Sequence, residues 1–102
     1  MTTESTEVWV AHVRERVVGF VATRLHEEQA IGEVHMLAVD PVSQRNGIGT
    51  LLTNFALEQI KRAGMTVAMV ESGGDPGHAP ARGTYEKAGF SLLPVARYFK
   101  AL

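Results

Sequence analysis

The chain contains no cysteine, which removes disulfides, thiolate nucleophiles and zinc–thiolate sites together and is expected of a cytoplasmic protein. It also lacks an excess of charge: ten Lys and Arg stand against eleven Asp and Glu, a formal net charge of −1. That balance supplies no basic field to hold nucleic acid or an anionic membrane, so neither is expected as a partner. No apolar run approaches the ~18 residues of a membrane span, and the start, Met1 to Glu7, lacks the basic and apolar regions of a signal peptide. Export and anchoring are not expected. Internal repeats and a linker are absent as well, so residues 1–102 read as a single domain. What is present is a globular composition: 45% hydrophobic and 21% charged residues, enough for a packed core and too apolar for a disordered chain.

Val8 to Val13 and Val17 to Ala22 are β-branched and aromatic runs separated by Arg14-Glu15-Arg16. They read as the two strands of a hairpin, both largely buried. Leu25 to Ala30 reads as a polar connection. Ile31 to Val39 is a third strand that stops at Asp40-Pro41, and strict alternation puts Ile31, Glu33, His35, Leu37 and Val39 on one face. From Ile48 the period changes. Ile48, Leu51, Leu52, Phe55, Ala56, Gln59, Ile60 and Ala63 recur at three- and four-residue spacing, which predicts an amphipathic helix of about four turns stopped by Gly64. Thr66 to Val70 follows as a buried strand, and a right-handed crossover through the helix would pair it in parallel with the third strand. Gly73 to Gly77 is a loop. Ala79 to Ala88 is a shorter helix stopped by Gly89, and Phe90 to Phe99 would supply one or two final strands broken near Pro94. The fold class is therefore mixed α/β.

Chemistry concentrates between the third strand and the first helix, in Gln44-Arg45-Asn46-Gly47-Ile48-Gly49-Thr50. Unpaired backbone N–H groups and the helix dipole converge there, and glycines at 47 and 49 let an anion reach the main chain without a Cβ in the way. Arg45 adds a charge and Thr50 a hydroxyl. The turn is not a Walker A loop, because no Lys precedes Thr50. It is a poor dinucleotide fingerprint too, since Leu52 stands where a third glycine is needed.

Leu37-Ala38-Val39-Asp40-Pro41 followed by Gln44 to Leu52 resembles the acetyl-CoA-binding motif of the GNAT superfamily of N-acetyltransferases, Q/R-x-x-G-x-G/A. Downstream, Thr84-Tyr85-Glu86-Lys87-Ala88-Gly89-Phe90 resembles that family's helix-to-strand segment. The resemblance covers about residues 8 to 100. It implies a mixed sheet, mostly antiparallel, with a parallel pair around an acetyl-CoA cleft. It implies that acetyl-CoA is the cosubstrate, with its pyrophosphate on the amides of Gln44, Arg45, Asn46, Gly47, Ile48, Gly49 and Thr50. Its pantetheine arm would lie along the main chain of Leu37, Ala38 and Val39, and the acetyl group would pass to a primary amine by direct attack. No metal is implied.

By the same resemblance Tyr85 matches the acid that protonates the departing thiolate, which suits a phenol that is neutral at pH 7. Glu33 matches a catalytic base, which burial among Val and Leu would make more basic. His35 is a second candidate for that role. His78 stands where the family often has an asparagine that helps hold pantetheine. The family's usual first strand and two helices have no counterpart ahead of Val8. The chain is then a minimal member, a fragment, or a protomer completed by a partner, and the open edge at Val8 to Val13 predicts a homodimer. Two alternatives are a non-catalytic acyl-CoA-binding module and a dimerisation domain without ligand.

Overall fold

A computed structural model describes residues 4–44, 46–72, 78–93 and 97–102. The elements run β1 (Glu4–Val13), β2 (Arg16–His26), a 3-10 turn (Glu27–Gln29), β3 (Ile31–Val39), a second 3-10 turn (Pro41–Ser43), α1 (Ile48–Arg62), β4 (Val67–Val70) and α2 (Ala79–Lys87). The strands lie in the order β1-β2-β3-β4, antiparallel except for the parallel pair β3–β4. The mixed sheet and the β3–α1–β4 crossover are as expected.

α1 owes its seat to one ridge. Leu52, Ala56 and Ile60, four residues apart, are buried and meet Val21 of β2 and Val34 of β3. Thr53 shares the buried side and satisfies its hydroxyl by donating to the carbonyl of Gly49 at 2.7 Å. The stripe is narrower than its periodicity suggests: Leu51 is exposed, and Phe55 meets only the edge of Trp9, ring centres 5.5 Å apart. β3 approaches the helix so closely at Gly32 that an added Cβ would stand 2.3 Å from Ile60 Cγ2 and 3.0 Å from its Cβ. The near side of a packed core residue cannot swing away. Gly32→Ala is therefore expected to cost on the order of 1–3 kcal/mol, read as a lowered midpoint in thermal or denaturant melts.

Both helices end in the same way. Gly64 and Gly89 take positive φ, of 89° and 98°. The N–H groups of Gly64 and Met65 return to the carbonyls of Lys61 and Ile60, and those of Gly89 and Phe90 return to Glu86 and Tyr85. These are Schellman closures, in which glycine supplies the left-handed residue and the next side chain folds back onto the last turn. Met65 and Phe90 accordingly pack against the core.

Five expectations need correction. β4 is not a buried strand: it runs from Val67 to Val70, Val67 is 54% exposed and the other three residues are half-buried. β1 is not largely buried: Trp9 and Ala11 turn to the core, but Val8 and Val10 are 60% and 49% exposed. A single layer, α1, packs on one face of the sheet, so the alternate residues of β1 meet no cover among the described residues. The hairpin turn is two residues, Arg14 and Glu15, both at positive φ as a primed turn requires, so β2 begins at Arg16. β2 also runs on to His26, through the first two residues of what reads as a connection, because Thr23-Arg24-Leu25-His26 alternates between a buried and a polar face. Finally, the expected tail strands do not form at 90–93 or 97–102, where Leu92, Leu93, Tyr98 and Phe99 are all exposed. Apolar residues make a strand only where a sheet edge pairs with them. The break near Pro94 and the loop at 73–77 fall outside the described residues.

Candidate functional site

The turn before α1 is built as an open cradle. Gly47 sits at the N-cap with φ 77°, a left-handed conformation that favours glycine, and it gives its own side of the turn no side chain to close the helix end. The first helical bond runs from Leu51 N–H to Gly47 C=O. The N–H groups of Ile48, Gly49 and Thr50 therefore point out of the helix end without helical partners. No acidic residue occupies the first turn. An added Cβ would meet nothing within 4 Å at Gly47, and only Val39 Cγ2, at 3.9 Å, at Gly49. Asn46, Gly47 and Thr50 are exposed. Arg45 lies outside the described residues.

The turn is tied to the end of β3. Gln44 donates from Nε2 to the carbonyl of Val39 at 3.2 Å, so it anchors the loop and is not itself part of the open cradle. Asp40 stops the strand by accepting from Val42 N–H and pairing with Arg16 at 2.7 Å. β3 pairs with β4 only from Ile31 to Val34, opposite Val67 to Val70. Beyond that point β3 continues to Val39 with no strand on its outer side among the described residues. Asp40 N–H donates inward to Val18 C=O. By strand alternation the main-chain groups of Leu37 and Val39 then turn outward to the gap, while those of Ala38 turn to β2. The gap thus opens next to the cradle, and of the three expected main-chain positions two face it.

Glu33 is not on the face expected of it. Between Ala22 and Thr23 the register of β2 with β3 slips by one residue, with Ala22 opposite Met36 and Thr23 opposite Val34. His35 is the extra residue of a β-bulge, which breaks strict alternation. Val34, Leu37 and Val39 consequently all pack toward α1, and Glu33 faces away from it. There its carboxylate accepts from His26 Nε2 at 3.0 Å and, more distantly, from His35 Nδ1 at 3.5 Å. His35 in turn accepts from Arg24 Nη2 at 3.1 Å, which requires its proton on Nδ1. Burial alone would raise the Glu33 carboxyl. The hydrogen bonds from His26 and His35, with the nearby Arg24 guanidinium, outweigh it and hold the carboxyl below its ordinary value. Glu33 is thus less basic than expected. Its contribution to stability is present above the ordinary carboxyl range and is lost as pH falls through the lowered value. A strand read as ending at Ala22 leaves out Arg24 and His26; their i, i+2 spacing beyond Thr23 is the signal that finds them.

Tyr85 occupies the last turn of α2, which packs against α1. Its ring stands edge-on to Phe90 with centres 6.0 Å apart, a contact set by the Schellman closure, and burial pushes its hydroxyl above the ordinary 10.0. The phenol keeps its proton at neutral pH. Tyr85 and Glu33 are not in contact: one belongs to the α1 side of the sheet, the other to the opposite face, with the β3–β4 gap open between the two sides. His78 stands at the N-cap position of α2, makes no side-chain capping bond there, and is exposed. A cavity of about 240 Å³ lined by Trp9, Thr23, Leu25, Gln59 and Ile60 lies at the other end of α1, roughly 15 Å along the helix from Gly49, and has no part in this arrangement. No group of three or more His, Asp or Glu among the described residues is placed to hold a metal, and no described helix is long and apolar enough to cross a membrane.

Residues 4–92 match the model of the acetyltransferase (GNAT) domain. The chain is 34% identical over 83 residues to a mycothiol acetyltransferase of Nocardia farcinica, covering 79% of this chain and 27% of that protein. It is 37% identical over 81 residues to a mycothiol acetyltransferase of Gordonia bronchialis, covering 79% and 25%. It spans about a quarter of the length of these curated relatives. Among solved structures, an aminoglycoside acetyltransferase from an uncultured soil metagenomic sample, in complex with sisomicin, superposes with a TM-score of 0.79 at 22% identity, over 95% of this chain and 66% of that one. A Bacillus subtilis acetyltransferase in complex with CoA gives 0.80 at 21%, over 87% and 57%. Identities this low carry the fold alone.

Proposed function

From the premise that this chain belongs to the GNAT acetyltransferase family, we propose that it moves an acetyl group from acetyl-CoA to a primary amine. One observation carries this reading: the three outward N–H groups of Ile48, Gly49 and Thr50 stand beside a gap lined by the outward main chain of Leu37 and Val39. The first feature suits a pyrophosphate and the second an amide-bearing arm that adds like a strand. Arg45 and Asn46 supply further contacts to the phosphates, and His78 a hydrogen bond to the arm. The thioester then lies in the gap, reachable from both faces of the sheet.

The amine enters from the Glu33 face. Its nitrogen attacks the thioester carbonyl, the C–N bond forms, and the C–S bond breaks as the tetrahedral intermediate collapses. Tyr85 gives its proton to the departing thiolate and regains one from the nitrogen. Glu33 pairs with the incoming ammonium, which gives its first proton to solvent water before the neutral amine attacks. Residues 1–102 form one catalytic domain, which acts in the cytoplasm. The screen takes sisomicin, the amine bound by one fold neighbour, as one probe beside other amino sugars, amino acids and peptides. Incubation with acetyl-CoA and free-thiol detection tests the reading. Acetyl-CoA binding without turnover on any amine favours a non-catalytic acyl-CoA-binding module, to which the uncovered Val8, Val10 and Met36 lend support.

The same uncovered face and the ten-residue outer edge of β1 support a homodimer. Light scattering at micromolar and higher concentrations is expected to give twice the 11.1 kDa chain mass; a monomer throughout contradicts it.

A further inference from the structure

Four side chains on the α1-free face form a continuous chain, Arg24 to His35 to Glu33 to His26, and only Glu33 and His35 have been given a role. Glu33 is the hub. Each carboxylate oxygen accepts from a different imidazole, and the Glu33 side chain is only 15% exposed, against 23% for His26 and 33% for His35. A carboxylate this enclosed is costly unless its lone pairs are met. It is also a weak proton acceptor: an ordinary carboxylate lies about six pK units below an alkylammonium, and accepting two hydrogen bonds widens the difference. A group so arranged suits a fixed negative charge better than a proton store.

We propose that His26 is a positioning residue of the amine site, fixing the Glu33 carboxylate through Nε2 as a standing counter-charge for the ammonium of a cationic acceptor. The proposal rests on the amine-acetylation reading for the acceptor, but not for the His26–Glu33 pair. His26 makes the shorter of the two bonds to Glu33, 3.0 Å against 3.5 Å. It comes from β2, whose register with β3 sets it opposite Ile31, two residues from Glu33. The groups that bear on it include Arg24 on its own strand, Glu33 and His35 on β3, and Glu27 and Glu28 of the following turn. The paired segment of β4, Val67 to Val70, carries no titratable residue. His35, turned by Arg24 so that Nδ1 donates, is the weaker tie: its reach to Glu33 is 3.5 Å and its side chain is 33% exposed.

The test uses the full chain and carbon-detected NMR of the Glu33 carboxyl across acid pH. In the wild type, His26 is expected as the Nε2–H tautomer when neutral, with Glu33 titrating below its ordinary value. His26→Ala should move the Glu33 midpoint upward, while His26→Gln, whose amide can donate to the same oxygen, should bring it back toward wild type. With sisomicin as the probe acceptor, His26→Ala should raise KM about 10-fold at low pH while leaving acetyl-CoA affinity by calorimetry unchanged. A wild-type His26 protonated only on Nδ1, or a Glu33 midpoint identical in wild type and folded His26→Ala, overturns the proposal. If His26→Ala does not fold, the wild-type tautomer still decides. Failure of sisomicin to react counts against the acceptor reading, whereas the carboxyl titration judges His26 independently.

Discussion

Gly49→Val is expected to leave the chain folded and to weaken acetyl-CoA binding by at least ~2 kcal/mol, in the range of losses when buried polar contacts are displaced. The two halves of this expectation are separable. Gly49 has ordinary helical φ, and its Cβ would meet nothing closer than Val39 Cγ2 at 3.9 Å, so the first turn accommodates a side chain. In a helix valine is no worse than glycine. What valine disturbs is the open space in front of the Ile48, Gly49 and Thr50 N–H groups, where a pyrophosphate would have to sit. Calorimetry with acetyl-CoA, alongside a thermal melt, checks both halves; unchanged affinity in a folded variant removes the pyrophosphate from this turn.

Tyr85→Phe carries the second large effect. Turnover should fall by about 10²-fold, the lower end for losing a general acid, with acetyl-CoA affinity and melting temperature near wild type. The reason lies in what the residue touches. Its packing is an edge contact with Phe90, which the phenylalanine ring retains, and among the described residues its hydroxyl makes no hydrogen bond whose loss would be felt. Burial keeps that hydroxyl protonated at neutral pH, as an acid requires. The measurement is kcat by free-thiol release with an amine that the screen identifies. Full turnover in the folded variant would assign the proton to water or to His78; a parallel loss of rate and stability would make Tyr85 structural.

The anion turn and the crossover were legible because their signals are local. The three- and four-residue spacing from Ile48 to Ile60 has one physical reading, and glycine at 47, 64 and 89 marks turns whose φ is positive. Tyr85-Glu86-Lys87-Ala88-Gly89-Phe90 was legible as a motif, and the structure adds its local cause: Gly89 and Phe90 close the helix and bring the Phe90 ring to Tyr85. The face of Glu33 was not legible. A bulge at His35 costs the sequence nothing that composition records, yet one extra residue moves Leu37 and Val39 to the opposite face from Glu33. The expected rise in Glu33 basicity failed for the same reason, because its partners His26 and Arg24 come from a strand taken to end at Ala22. The tail strands failed because pairing depends on an edge elsewhere in the chain, which the Phe90 to Phe99 run cannot report on.

The most direct test of the acetyl-CoA site is a titration of the labelled chain with acetyl-CoA, followed through its backbone amides. Saturable shifts should centre on Gly47, Ile48, Gly49 and Thr50 and extend to Leu37 and Val39 along the gap. Shifts confined to Trp9, Thr23 and Leu25 at the far end of α1, or no shift at millimolar acetyl-CoA, would contradict it.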